Sequence, residues 1–233
     1  MTMLAEALRS ELVETAQSLE RLGLLRSTAG NLSARVDADL LAITPTGMPY
    51  PEIEPADIVV CDLDGRVVEG ERRPSSELPF HTAVLRSRPD AGAVVHTHSP
   101  YATTLAVLGK TIPAVHYVLA ALRLDTVPLV PYFRFGSAEL ARAIASALAG
   151  GGDAALLANH GALALGRDLQ GAAKAADLLE FVAMVYYRAL AVGEPVVLPD
   201  EEIAEVRVQY RSYGQPPAGG GGSPDGGNGH ERP

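Results

Sequence analysis

Hydrophobic residues return along this chain in short, separated runs, and the spacing within each run predicts the element it builds. Leu4, Leu8, Leu12, Ala16, Leu19 and Leu22 recur at helical intervals and Gly23 follows as a stop, so the chain opens with an amphipathic helix packed on a core. Residues 40–44 and 57–61 read as short strands, and Asp64-Gly65 reads as a hairpin turn after the second. Residues 75–87 predict a helix capped by Ser75 and Ser76, with Pro79 tolerated because it falls in the first turn. A strand over 91–98 and a helix over 100–108 come next. Residues 137–148 predict a capped helix closed by Gly150-Gly151-Gly152. Two strands, 154–158 and 162–165, surround Asn159-His160-Gly161, followed by a long helix over 169–191 and a shorter one over 199–210. From Gly214 to Pro233 there is no apolar periodicity to offset the entropy of ordering, so a disordered tail is expected at 214–233 behind one folded domain at 1–213. The mixture of strands and helices is compatible with an α/β fold.

Composition narrows the function. With 233 residues, 47% of them hydrophobic, the chain can bury a sizeable core in one domain. No stretch approaches the roughly 20 apolar residues of a membrane span, and Met1 to Arg9 lacks the pattern of a secretory signal, so a cytoplasmic location is expected. The lone Cys61 follows Ile58-Val59-Val60 and reads as a small buried hydrophobe. A formal net charge of −9 without Lys/Arg clusters argues against nucleic acid or an anionic membrane as partner. An anionic substrate would have to be held by local donors and a metal.

Histidines supply the candidate metal chemistry. His96 and His98 flank Thr97 at the end of an apolar strand, where side chains at i and i+2 share a face and both imidazoles can reach one ion. His160 sits where an apolar run breaks at a turn, a position suited to function. Three imidazoles with an open fourth position make a catalytic zinc arrangement. Of the others, His81 reads as helix packing, His116 as a pocket wall and His230 as part of the tail. Lys110 and Lys174 fall on a predicted loop and a predicted helix, without a motif suggestive of a Schiff base.

Six segments together resemble the class II aldolase/adducin family: Thr28-Ala29-Gly30-Asn31-Leu32-Ser33, Ile43-Thr44-Pro45-Thr46-Gly47, Pro74-Ser75-Ser76-Glu77, Ala93-Val94-Val95-His96-Thr97-His98, Ile112-Pro113-Ala114-Val115-His116-Tyr117 and Asn159-His160-Gly161. They span nearly everything before the tail. The resemblance implies a three-layer α/β/α fold with a mainly antiparallel central sheet, assembled as a homotetramer with sites between subunits. It implies zinc, or another divalent transition metal, on His96, His98 and His160. Glu77 would be the base and a further ligand, and Tyr117, from a neighbouring subunit, a proton donor. Phosphate would be held by Thr28, Asn31, Thr46, Gly47, Ser75 and Ser76, and the aldehyde pocket walled by Phe135, Tyr210 and Tyr213. The implied reaction is reversible cleavage of a ketose 1-phosphate to dihydroxyacetone phosphate and a short aldehyde, of the L-fuculose 1-phosphate or 5-deoxyribulose 1-phosphate type. Residues 119–125 and Phe133-Arg134 look bulkier than the matching stretches of the family's fuculose-phosphate-cleaving members, which leaves the aldehyde open. A pentulose-phosphate 4-epimerase of the same family and a non-enzymatic adducin-like scaffold are the alternatives; the first carries Asp where Glu77 stands, and the second has lost the metal ligands.

Physically, Asn31, Ser75 and Ser76 offer neutral hydrogen-bond donors, and free amides at a helix start carry partial positive charge that suits a phosphate dianion. An acidic chain can therefore bind an acidic substrate.

Overall fold

Successive side chains of a strand point to opposite faces, and that alternation assigns almost every apolar strand residue to one of two helical layers. The computed structural model describes residues 3–210, 212 and 213. Through them runs one eight-stranded sheet: β1 (Asn31–Arg35), β2 (Leu40–Ile43), β3 (Val59–Asp62), β4 (Val67–Glu69), β5 (Ala93–Thr97), β6 (Leu129–Val130), β7 (Ala154–Leu157) and β8 (Gly161–Gly166). Its order is β4-β3-β2-β1-β5-β8-β7-β6, and every neighbouring pair is antiparallel except β6 with β7.

One face carries Leu32, Ala34, Ala42, Val60, Ala93, Val95, Ala162 and Ala164, covered by α1 (Glu6–Arg21), α3 (Pro100–Val107) and α5 (Leu169–Val192). The other carries Leu41, Ile43, Val59, Cys61, Val94, Leu163 and Leu165, covered by α2 (Leu78–Ser87) and α4 (Ala138–Leu148). This is the expected three-layer α/β/α arrangement on a mainly antiparallel sheet. A last helix, α6 (Asp200–Tyr210), buries Ile203 against Ala114 and Ala120. Among the described residues no helix is long and apolar enough to cross a membrane.

Small residues let the longest helix lie close to the sheet. Ala172, Ala175, Ala176 and Ala183 of α5 face the alanine-rich side of β8, and Asp168 caps the helix by accepting from the Gly171 amide at 2.7 Å. A Cβ at Gly166, the last residue of β8, would collide with the backbone nitrogen of Ala172. At the end of the sheet where β5 and β7 begin, buried Arg88 donates to the carbonyls of Leu148 at 2.9 Å and Gly152 at 2.7 Å and pairs with Asp90 and Asp153. That clamp fixes the exit of α2 against the exit of α4.

Several expectations shift on inspection. The first helix is shorter than its leucine pattern, and Leu4 and Leu22 lie outside it, 38% and 62% exposed. Gly23 ends it as expected, in the left-handed region at φ 77°. Ser75 and Ser76 do not cap α2. The Ser75 carbonyl and hydroxyl accept from the amides of Leu78 at 3.0 Å and Glu77 at 3.2 Å, a turn that delays the helix and leaves Glu77 at its N-cap. Asp57 lies in a 3-10 turn, Pro55–Asp57, ahead of β3. His98 falls just past the end of β5. Strands β1, β4 and β6 were not read from the sequence. Cys61 is buried, as expected, and burial pushes its thiol up to about 11. The tail expectation, with His230, lies outside the described residues.

The close approach of α5 to β8 is testable. Gly166→Ala is expected to lower stability by about 1–3 kcal/mol, because the added methyl meets backbone that cannot yield cheaply. Gly150→Ala, with open space around it, should stay within about 0.5 kcal/mol of the parent; denaturant titration of both variants checks the contrast.

Candidate metal centre and anion cleft

Strand register brings the site together. Asn31, the first residue of β1, is the partner of His96 in β5, while Thr97 pairs with Ala162 of β8 and Leu157 of β7 with Gly161. The start of β1, the end of β5 and the turn between β7 and β8 therefore meet at one end of the sheet's inner strands. Glycine makes these approaches possible. At Gly30, φ is 91° and a Cβ would lie 2.5 Å from Leu25 Cδ2 and 2.7 Å from the His96 carbonyl. The buried Tyr50 hydroxyl reaches the carbonyls of Gly30 at 2.7 Å and Ala29 at 3.1 Å and holds this loop down. Asn159, at φ 54°, turns the chain so that His160 faces inward. A Cβ at Gly161 would collide with the Thr97 carbonyl and crowd His98 Cδ2 at 3.1 Å and His96 Cε1 at 3.2 Å.

Three imidazoles converge there, their candidate ligand atoms all within 4.8 Å of one another. His96 Nδ1 donates to the Ala162 carbonyl at 2.9 Å, which leaves Nε2 to present a lone pair. That Nε2 lies 3.0 Å from His98 Nε2 and 3.2 Å from Glu77 Oε2, and His160 Nε2 lies 3.3 Å from Glu77 Oε1. Neighbouring donors of a tetrahedral ion bound at about 2.0–2.1 Å stand roughly 3.3 Å apart. The arrangement thus fits a divalent transition metal, and the electrostatics agree. Burial alone would raise the Glu77 carboxyl. The His96 imidazole, then the close ring nitrogens of His160 and His96 and the hydrogen bond from the Asn31 amide, outweigh it and hold the group well below the usual carboxylate range. Glu77 is accordingly an anion, and its Oε1 is buried with no hydrogen-bond partner among the described residues. Burial, then His96 and His160, push His98 down to about 4 against the opposing pull of Glu77, so this ring is neutral and free to ligate near pH 7.

A cleft of about 270 Å³ opens over this group. Thr28, Asn31, Thr46, Gly47, Ser75 and Ser76 all line it, beside Glu77, His98 and His160, whereas His96 lies beneath. Backbone pairing explains the gathering: Ser75 N donates to the Thr44 carbonyl at 3.1 Å and Thr46 N to the Arg73 carbonyl at 3.1 Å, so two distant loops are stitched into one wall. Phe135 also lines the cleft, together with Tyr132 and Phe133. Tyr117, Tyr210 and Tyr213 do not line the cleft of their own chain. Tyr117 is 52% exposed and stacks on His116 at 4.7 Å, while the rings of Tyr210 and Tyr213 stand 5.7 Å apart. His116, expected as a pocket wall, instead accepts from the Val118 amide at 3.2 Å and starts the 3-10 turn Tyr117–Leu122.

Sequence reasoning passed over Tyr132, whose only signal was an aromatic between Pro131 and Gly136, and gave His81 no more than packing. In the structure His81 is fully buried and bonded through both ring nitrogens, to Ser33 Oγ at 2.7 Å and Asn31 Oδ1 at 2.6 Å.

The fold and much of the sequence are shared with known proteins. Residues 10–187 match the model of the class II aldolase and adducin N-terminal domain. A 5-methylthioribulose-1-phosphate/5-deoxyribulose-1-phosphate aldolase of Rhodospirillum rubrum is 45% identical over 89% of this chain and 93% of its own. A 5-deoxy-D-ribulose 1-phosphate aldolase of Bacillus thuringiensis is 42% identical over 91% of this chain and its entire length. A solved L-fuculose 1-phosphate aldolase superposes with a TM-score of 0.86 at 41% identity, covering 90% of this chain and 98% of that one. Agreement in sequence over most of both lengths and in backbone over the same span leaves one conclusion: this chain belongs to the class II aldolase and adducin family.

Proposed function

We propose that this chain is a zinc-dependent aldolase that reversibly cleaves a short ketose 1-phosphate to dihydroxyacetone phosphate and an aldehyde. 5-Deoxyribulose 1-phosphate, giving acetaldehyde, and L-fuculose 1-phosphate, giving lactaldehyde, are the leading substrates. The observation that carries the reading is one cleft in which two imidazoles, an ionised carboxylate and a wall of neutral hydrogen-bond donors face the same space, with the third imidazole, His96, grouped with them from beneath. The names of the relatives point the same way.

His96, His98 and His160 would hold the metal, with Glu77 as a further ligand when no substrate is present. A divalent ion there supplies Lewis acidity toward the carbonyl and hydroxyl oxygens of the ketose. The substrate phosphate rests against Thr28, Asn31, Thr46, Gly47, Ser75 and Ser76, which places the reacting carbons beside Glu77. In cleavage, the hydroxyl on the future aldehyde carbon would give up its proton through Tyr117, whose own phenolic proton passes on to solvent, and the carbon–carbon bond breaks. Its electron pair stays on the dihydroxyacetone phosphate half, where Glu77, having taken up one proton from solvent, delivers it to carbon; one proton leaves and one enters, and addition runs the same steps backwards. Tyr117 of a neighbouring chain in a homotetramer fits this role, because the residue is half-exposed and absent from its own cleft. Tyr132, Phe133 and Phe135 form an aromatic wall that suits the methyl end of either aldehyde. Tyr210 and Tyr213 would reach such a wall only from another subunit.

Three measurements test this reading. A panel of ketose 1-phosphates assayed on the zinc-loaded full-length chain should release dihydroxyacetone phosphate from at least one of the two leading substrates; no release from any member would sink it. A chelator should abolish the activity and added zinc restore it, while borohydride with substrate should leave it intact. Glu77→Gln is expected to lower turnover by about 10²–10⁴-fold with near-normal metal content, and a variant keeping more than about a tenth of the activity would refute the base assignment.

A further inference from the structure

Beneath the cleft runs a series of hydrogen bonds, each with one permitted direction. Asn31 Nδ2 lies 2.9 Å from Glu77 Oε2, and since an ionised carboxylate only accepts, the amide donates. That orientation turns Asn31 Oδ1, an acceptor, toward His81 Nε2 at 2.6 Å, so this ring nitrogen must carry hydrogen. The opposite nitrogen, His81 Nδ1, stands 2.7 Å from Ser33 Oγ. In a neutral ring with hydrogen on Nε2 it can only accept, so the Ser33 hydroxyl donates. The ring is neutral: His81 is fully buried, and burial, with His96 adding and Glu77 opposing, pushes it down to about 3. Phe80 stacks on the imidazole with centroids 4.6 Å apart and leaves it little rotational freedom.

We propose that His81 is a positioning residue, which fixes the Asn31 amide so that it always donates to Glu77 Oε2, with Ser33 fixing the tautomer that makes this possible. The inference rests on the reading of Glu77 as the base, and it specifies how that base is aimed. An unsupported Asn31 could rotate its amide and offer Oδ1 to the carboxylate, a repulsive contact that would swing Glu77 from the imidazoles. With His81 in place, Oε2 is held and Oε1 stays unbonded among the described residues.

Histidine has two partial mimics that separate this role from mere packing. The Gln amide nitrogen can occupy the place of His81 Nε2 and keep the donor toward Asn31, whereas Asn fills the ring's inner half and loses it. In zinc-loaded full-length protein, His81→Asn is expected to lower kcat by about 10–100-fold with KM and zinc content little changed, while His81→Gln recovers most of the loss. Equal losses in both variants, or none in either, would overturn the proposal. Nitrogen-15 NMR of the histidine rings, independent of turnover, should show His81 as the neutral Nε2–H tautomer from pH 6 to 8 and a change of that signature in Ser33→Ala. An Nδ1–H or doubly protonated ring would overturn the proposal even where His81→Asn fails to fold. If the parent chain cleaves no ketose phosphate, the aldolase reading fails while the tautomer measurement still decides the orientation of Asn31.

Discussion

Glu77 is a carboxylate taken out of water, and the structure around the cleft is arranged as though to make that tolerable. A buried anion without partners costs several kcal/mol, so it persists only where donors or cations converge on it. Asn31 supplies one donor, and His96 and His160 stand against its two oxygens. Those partners come from three separate stretches of chain, which is why the register of β1 on β5 and of β5 on β8 matters more than any local propensity. A slip of one residue in either pairing would turn Asn31 or His96 to the opposite face and leave the carboxylate unpaired.

Much of this was legible in the sequence, for physical reasons. Helices α1, α4 and α5 declare themselves by apolar periodicity and by punctuation such as Gly23, Ser137 and Gly150, and β5 and β7 by apolar runs too short for helices. His96 and His98 could be read as neighbours because their spacing fits a strand. Strand β1 was hidden by its own role: Asn31 and Ser33 point to the buried polar network, so only Leu32 and Ala34 remain as an apolar signal. β6, two residues long, is too short to announce itself, and the interleaved sheet order arises from non-local pairing. His81 packs in its helix as expected, but its polar network could not be read from the sequence because its two partners lie some fifty positions away. The start of α2 was misplaced because the serines bond within their own turn and leave the cap position to the carboxylate.

The charge balance also becomes intelligible. A chain of net charge −9 has fewer cationic than anionic side chains and so no overall attraction for a phosphate. Its cleft instead offers hydroxyls and an amide from Thr28, Asn31, Thr46, Ser75 and Ser76. Such donors bind an anion by geometry and not by long-range attraction. On the proposed function, selectivity among anions would depend on how well two stitched loops hold their shape, with little steering of substrate from afar.

The turn that carries His160 has one more consequence. Its imidazole belongs to the β7–β8 connection, whereas His96 and His98 end β5, and β6, α4 and β7 all lie between them along the chain. The full trio exists only after β8 has docked beside β5, so an ion held by all three rings would be captured only once that pairing is made. A cation held there would cross-link the closed loop and slow its reopening, acting as a latch on the centre of the sheet.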